Sequence, residues 1–296
     1  MKLFVTIHND ARLLGHFLRH YDRAGIGEFF VAVSPQFDQV AGQFARRYDI
    51  TTCRGLDVAD SVSGTSAVTD MRRQYQGDDE WVVIVDLDEF IEFRQDIEST
   101  TAAADDAGAT VVRGIMHDRF SADGRLADFA PDSDLSVVYP VKSRFVRNVM
   151  GGCDHKGVLV KGRIKSAAGA AHHRFEHERL CTEILEISHY KWTPGAIDRL
   201  RESYRRVTDA GISWAIEYKR ALDHYDTHGR FAWETFGGQL AQDFELEPPD
   251  TCVDCDAPIA DGEFRFSTAH FGRALCRAHQ ASQQQRVKGM HDPIVW

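Results

Sequence analysis

The sequence predicts an α/β protein: a mixed, mostly parallel sheet flanked by helices, with a helical extension behind it and a small zinc-binding module at its end. Three observations carry that reading. Apolar runs of strand length alternate with stretches of helical spacing from residue 2 onward, which implies parallel strands joined by right-handed crossovers. The run Trp81-Val-Val-Ile-Val85 is apolar throughout, as a strand covered on both faces should be, and it ends in Asp86, Asp88 and Glu89. Far downstream, Cys252-x-x-Cys255 and Cys276-x-x-His279 set out two ligand pairs.

Taken in order, residues 2–7 alternate into a first strand, and Asn9-Asp10 stand where a helix N-cap belongs. Leu13, Leu14, Phe17, Leu18 and Tyr21 then share one helical face until Gly25-Ile-Gly27 stops the helix. Phe29–Val33 is a second strand, Val40–Tyr48 a second helix, Ile50–Cys53 a short third strand, and Ser61–Tyr75 the helix that leads to Trp81. Beyond the acidic strand the pattern weakens. A helix is expected over Ala102–Ala107, a strand over Val111–Met116, and a turn-rich loop over His117–Gly124. Ile184–His189 reads as an apolar strand ending in a histidine, and Pro194–Thr227 as two helices broken at Gly211. Pro248-Pro249 marks a linker. These boundaries give three segments: 1–195, 196–246 and 250–296.

Composition narrows the function. With 35 Lys and Arg against 45 Asp and Glu, the net charge of −10 speaks against a general nucleic-acid binder. The opening apolar run is broken by His8, Asn9 and Asp10, too early for a signal peptide or a membrane span, so a cytoplasmic protein is expected, at most peripheral to the inner face of a membrane. Cys53, Cys153 and Cys181 are scattered and read as small buried hydrophobes of a reduced compartment.

The acidic cluster carries the chemistry. Strands of an open parallel sheet present their carboxyl ends to a ligand crevice, and two Asp side chains there offer hard oxygens to Mg²⁺ or Mn²⁺. Acidic residues after a strand also serve as turn formers and helix caps. A haloacid dehalogenase-type phosphotransferase is disfavoured, because Phe90 stands where that motif wants Thr or Val and the strand comes late in the chain.

Asn9-Asp10, Leu14, Phe17-Leu18, His20-Tyr21, the Gly25–Val33 stretch and Trp81–Phe90 together resemble the family 2-like bacterial glycosyltransferases of the GT-A, Rossmann-like fold. The resemblance covers about residues 1 to 195, with Asp-x-Asp-Glu-Phe its most specific part. Asp10 replaces the family's usual Glu, and Ser34-Pro35 stands where Asp-Asn is common. The resemblance implies transfer of a sugar from a nucleotide-sugar donor to an acceptor with inversion. It places His8, Asn9, Asp10, Asp57 and Asp86 at the donor, and Asp86, Asp88 and a late histidine, His189, at Mn²⁺ or Mg²⁺. Phe120–Gly124 resembles the family's acceptor loop, and Ala170-Ala-His172-His173 its histidine pair. The acceptor hydroxyl needs a carboxylate base, for which Asp118 and Asp154 are the candidates.

The basic and histidine-rich segment 142–192 could neutralise charge on a leaving nucleotide, or simply face solvent. In the tail, Cys252, Cys255, Cys276 and His279 fit one tetrahedral, structural Zn²⁺, and the unit resembles a zinc ribbon suited to docking a protein partner. A second reading is a catalytically degenerate domain that serves as a binding platform through this module. A third, another phosphoryl- or nucleotidyl-transferring enzyme, lacks a Gly-rich phosphate loop.

Overall fold

The computed structural model describes residues 1–7, 10–54, 61–167, 172–240, 277–278 and 280–281. The chain divides into two compact units, Met1–Phe244 and Glu245–Trp296. The four expected zinc ligands, and His8, Asn9 and Asp57, lie outside the described residues.

The first unit opens as alternating strands and helices. Strand β1 (Lys2–Ile7) leads to helix α1 (Leu14–Arg23), β2 (Glu28–Val33), α2 (Asp38–Phe44), β3 (Ile50–Cys53), α3 (Ser61–Tyr75) and β4 (Trp81–Ile84). Strands β3, β2, β1 and β4 lie side by side in that order, all parallel. Their burial explains the unbroken apolar runs: β1 and β4 are covered on both faces, by a core around Phe17, Tyr21 and Phe29 and by another around Phe4, Phe30 and Met71.

After β4 the connections change character. β5 (Glu89–Glu92) follows a tight turn, then α4 (Ile97–Asp106), β6 (Val111–Phe120), the short α5 (Leu135–Val138), β7 (Val141–Ser143), β8 (His155–Lys161) and β9 (Leu180–His189). β8 returns antiparallel beside β4, and β6 and β7 continue antiparallel beyond it. β9 runs parallel to β6 and antiparallel to β5. The sheet is therefore parallel on its N-terminal side and chiefly antiparallel on the other.

Helices α6 (Ala196–Asp209) and α7 (Ala215–His228), with the two-residue strand β10 (Gln239–Leu240), complete the unit. Their apolar faces do not join the main core. Ile197, Leu200 and Leu222 pack with Phe231, Phe236, Phe145, Phe120 and Trp192 into a separate aromatic core at the far end of β6.

Three local expectations are corrected. Asp10 does not cap α1, which begins at Leu14 without a side-chain cap; its carboxylate instead accepts from the Arg12 backbone N–H at 2.9 Å and pairs with Arg12 and Arg199. The helix expected over Ala102–Ala107 starts at Ile97, because Asp96 accepts from the Ser99 N–H and caps it five residues earlier. His117–Phe120 is not loop but the continuation of β6, paired with β9 and β7. Its polar residues are buried among partners contributed by distant parts of the chain, which local patterning does not register.

Candidate active site at the carboxyl end of β4

β4 carries its chain out of the sheet at Val85, and the next four residues form a pinned turn. The Glu89 N–H donates to the Asp86 carbonyl at 3.1 Å, while the Asp86 N–H donates to Glu89 Oε2 at 2.9 Å. The Tyr190 N–H holds the Asp88 carbonyl at 2.7 Å. Asp86 and Asp88 are thereby turned to the outside, with side chains 56% and 32% exposed, while Glu89 is buried.

Strand register supplies the rest. Val83 faces Leu159 across β4 and β8, so following that register three residues further sets Lys156 opposite Asp86. Its ammonium lies 2.7 Å from both Asp86 Oδ2 and Glu89 Oε2. Burial works against the charges here, but the carboxylates more than offset it: Lys156 is raised and Asp86 is lowered from their ordinary values. On the other side, β9 pairs His189 with Asp118 of β6 and with Glu89 of β5.

The His189 ring joins the two acids. Its Nδ1 lies 3.0 Å from Asp118 Oδ1 and its Nε2 lies 3.5 Å from Asp88 Oδ2. Burial opposes the imidazolium, yet Asp88 and Asp118 together raise the ring to about 10. His189 in turn holds the Asp88 carboxyl below the usual carboxylate range, against the partial desolvation of this half-buried group. Asp118 is fully buried and accepts from Trp192 Nε1 at 2.9 Å and from the Val146 N–H at 2.9 Å as well. It is thus the anchor that orients the histidine, an arrangement that suits a metal-ligating imidazole once an arriving ion displaces the Nε2 proton.

The other sequence candidates fall into place around this centre. Asp154 is 1% exposed and held by Arg144 and His155, which keep its carboxyl well below the usual range against the effect of burial. Phe120, at the start of the expected acceptor loop, is buried in the aromatic core rather than presented to a ligand. His172 is buried, and burial together with the Lys156 ammonium pushes it down to about 3, so it is neutral.

Two further groups stand nearby: Lys191, from the basic segment 142–192, and Glu217, which the sequence did not single out. The Lys191 ammonium sits 5.9 Å from the Trp192 ring and 5.7 Å from the Tyr218 ring, with no ion-pair partner among the described residues. Burial opposes its charge; Tyr218, Asp88 and Asp118 hold it. Glu217, on the first turn of α7, faces Lys191 and His173, and partial burial raises its carboxyl above the usual range. A polar residue on a helix of unknown placement gives no signal in sequence; only the docking of α7 brings Glu217 here.

No family model matches the sequence. No curated protein matches it either. Among solved structures the chain is similar to HddC from Yersinia pseudotuberculosis, at 9% identity over 54% of this chain and 72% of that one, with a TM-score of 0.29. It is similar also to a 4-diphosphocytidyl-2C-methyl-D-erythritol synthase, at 10% identity over 55% and 74% of the two chains, with a TM-score of 0.32. A synthase of the same name from Anaerococcus prevotii gives 10% identity, 63% and 86% coverage and a TM-score of 0.35. Likeness of this size carries no function to the chain; the mixed α/β, Rossmann-like architecture rests on the strand order itself.

Among the described residues, no three His, Cys, Asp or Glu side chains are grouped to hold a metal ion unaided. Asp88 and His189 do converge, and an oxygen with an imidazole nitrogen suits Mn²⁺, or Mg²⁺ completed by phosphate oxygens and water. No helix among the described residues is long and apolar enough to cross a membrane.

Proposed function

We propose that the first unit is a metal-dependent transferase that holds the diphosphate of a nucleotide-sugar at the end of β4 and passes the sugar to an acceptor hydroxyl. The observation that supports it best is the Asp88–His189–Asp118 relay, in which a buried carboxylate orients an imidazole toward an exposed acid at a sheet edge. Asp88 and His189 would hold the ion, whose charge would offset that developing on the leaving diphosphate. Lys191, unpaired and close to the same acids, is suited to meet a phosphate oxygen. Asp86 would contact the donor from its open side. Asp118 and Asp154 are both committed to buried partners, so Glu217 has the better claim to accept the acceptor's proton: it is half-exposed and its raised carboxyl suits a base.

The test is thermal stability with a panel of nucleoside diphosphates, with and without Mn²⁺, on the native protein and on Asp88→Ala. A ligand at a hundredfold its dissociation constant adds about 2.7 kcal/mol to the folded state. A stabilisation that needs both Mn²⁺ and Asp88 supports the transferase; none with any nucleotide overturns it.

One observation favours a second reading, a degenerate domain that serves as a platform. Lys156 already engages both Asp86 and Glu89, and Asp10 is occupied by Arg12 and Arg199. On that reading the Zn²⁺ module at Cys252, Cys255, Cys276 and His279 makes the important contact, with a protein partner, and the nucleotide panel gives no shift.

A further inference from the structure

Three side chains remote in sequence converge outside the relay. Cys153 lies in the turn between Gly151, at φ 76°, and β8; His173 precedes β9; Glu217 comes from α7. Cys153 is exposed, which corrects its reading from sequence as a small buried hydrophobe. Its Sγ lies 3.5 Å from the His155 carbonyl oxygen, and the His173 Nδ1–H donates to that same oxygen at 2.5 Å. One backbone carbonyl therefore fixes both groups. The ring and the thiol are thereby held on the same oxygen, beside one another. Glu217 closes the cluster: a Cβ at Gly152 would lie 2.6 Å from its Oε2, so glycine is what lets that carboxylate approach the turn.

We propose that Cys153 is a nucleophilic thiol activated by His173, and that it is the site at which this protein reacts with hydrogen peroxide. The thiolate attacks one peroxide oxygen; the S–O bond forms as the O–O bond breaks, and the departing hydroxide takes the His173 proton to leave as water. Sulfur is oxidised by two electrons to a sulfenic acid and peroxide is reduced. The reaction is independent of sugar transfer.

The charges around the pair agree with the geometry. Partial desolvation by the surrounding turn and Asp154 oppose the thiolate, but His173 lowers the thiol below its ordinary value. Burial and Lys156 oppose the imidazolium, but Cys153 and the His155 carbonyl raise it, and Glu217 faces it from α7. Cys53 has no such partner, and burial raises its thiol. Cys181 is half-buried. These two are internal controls.

The experiment is a brief iodoacetamide pulse on the purified full chain across pH 5–9, with labelled cysteines mapped by mass spectrometry, and a parallel sample given hydrogen peroxide and trapped with dimedone. Cys153 is expected to alkylate roughly tenfold faster than Cys53 and Cys181 near pH 6.5, with its midpoint below the ordinary thiol value of about 8.5, and to carry the dimedone adduct. His173→Gln should return its rate to that of Cys181. Equal rates at the three cysteines, an ordinary midpoint, or an unchanged rate in His173→Gln overturns the activation. Fast alkylation without a dimedone adduct overturns the peroxide assignment. The pH profile of the unaltered protein decides the matter even if His173→Gln fails to fold.

Discussion

Asp118 receives three donors in a place without solvent, His189, Trp192 and the Val146 N–H, and no neighbouring group can replace its charge. Asp118→Asn turns one acceptor into a donor facing these groups and should cost about 3 kcal/mol of stability in urea titration. In the proposed transferase the same change should weaken Mn²⁺-dependent nucleotide binding more than it weakens nucleotide binding without metal. Lys156 poses the complementary case. Lys156→Met removes the ammonium that contacts buried Glu89 and should destabilise by about 3 to 5 kcal/mol, much of which Glu89→Gln in the same chain should restore. Asp154 sets a pH dependence. Its carboxyl is held lower in the folded chain than in the unfolded one, so its stabilisation is complete above the unfolded value of about 3.9 and is lost as pH falls through the folded value. Asp154→Asn should therefore lower stability at pH 7 and flatten the acid limb of a stability profile measured from pH 7 to 2. The ties of Lys156 and of Asp118 were not legible in the sequence, because the partners lie 67 residues apart for Lys156 and Glu89 and 71 for His189 and Asp118.

At the scale of elements, legibility followed burial. β1, β2 and β4 are covered on both faces, so their sequences are chiefly apolar, broken in β1 by Thr6 alone past its first residue, and their limits show directly. β6 is different: His117, Asp118 and Arg119 are buried but polar, packed among partners from β9, β7 and the chain after α5, and the sequence offers no hint that they continue a strand. The turn that follows shows what residue type the fold demands. Gly124 has φ 72°, and a Cβ there would overlap the Phe231 carbonyl oxygen, to which the loop is joined by the Phe231 N–H bond to the Gly124 carbonyl at 2.8 Å. Gly124→Ala should cost about 1 to 3 kcal/mol, read as a drop in melting temperature, and should loosen the Phe231 segment first in hydrogen exchange.

At the scale of the whole first unit, two apolar bodies meet along β6. The sheet core was foreseeable from strand patterning, and so were the helices behind it; that these helices build an aromatic core of their own was not, since Phe120, Phe145, Trp192 and Phe231 stand far apart in the chain. Phe145 stacks edge-on against Phe120, Trp192, Phe231 and Phe236, at centroid distances of 5.7, 5.1, 5.3 and 4.8 Å. Phe145→Ala should cost about 3 to 5 kcal/mol. Because α7 carries Glu217, the same change should also slow any sugar transfer while leaving Mn²⁺-dependent nucleotide binding close to normal.

The clamped turn after β4 has a thermodynamic consequence. Its backbone is tied to Glu89 on one side and to Tyr190 on the other before any ligand arrives. A nucleotide docking there would not have to freeze a mobile loop, and each immobilised residue spared is worth about 1–2 kcal/mol of conformational entropy. Calorimetry on such a complex should record a small entropic penalty, with the loop's amide exchange already slow in the unliganded chain.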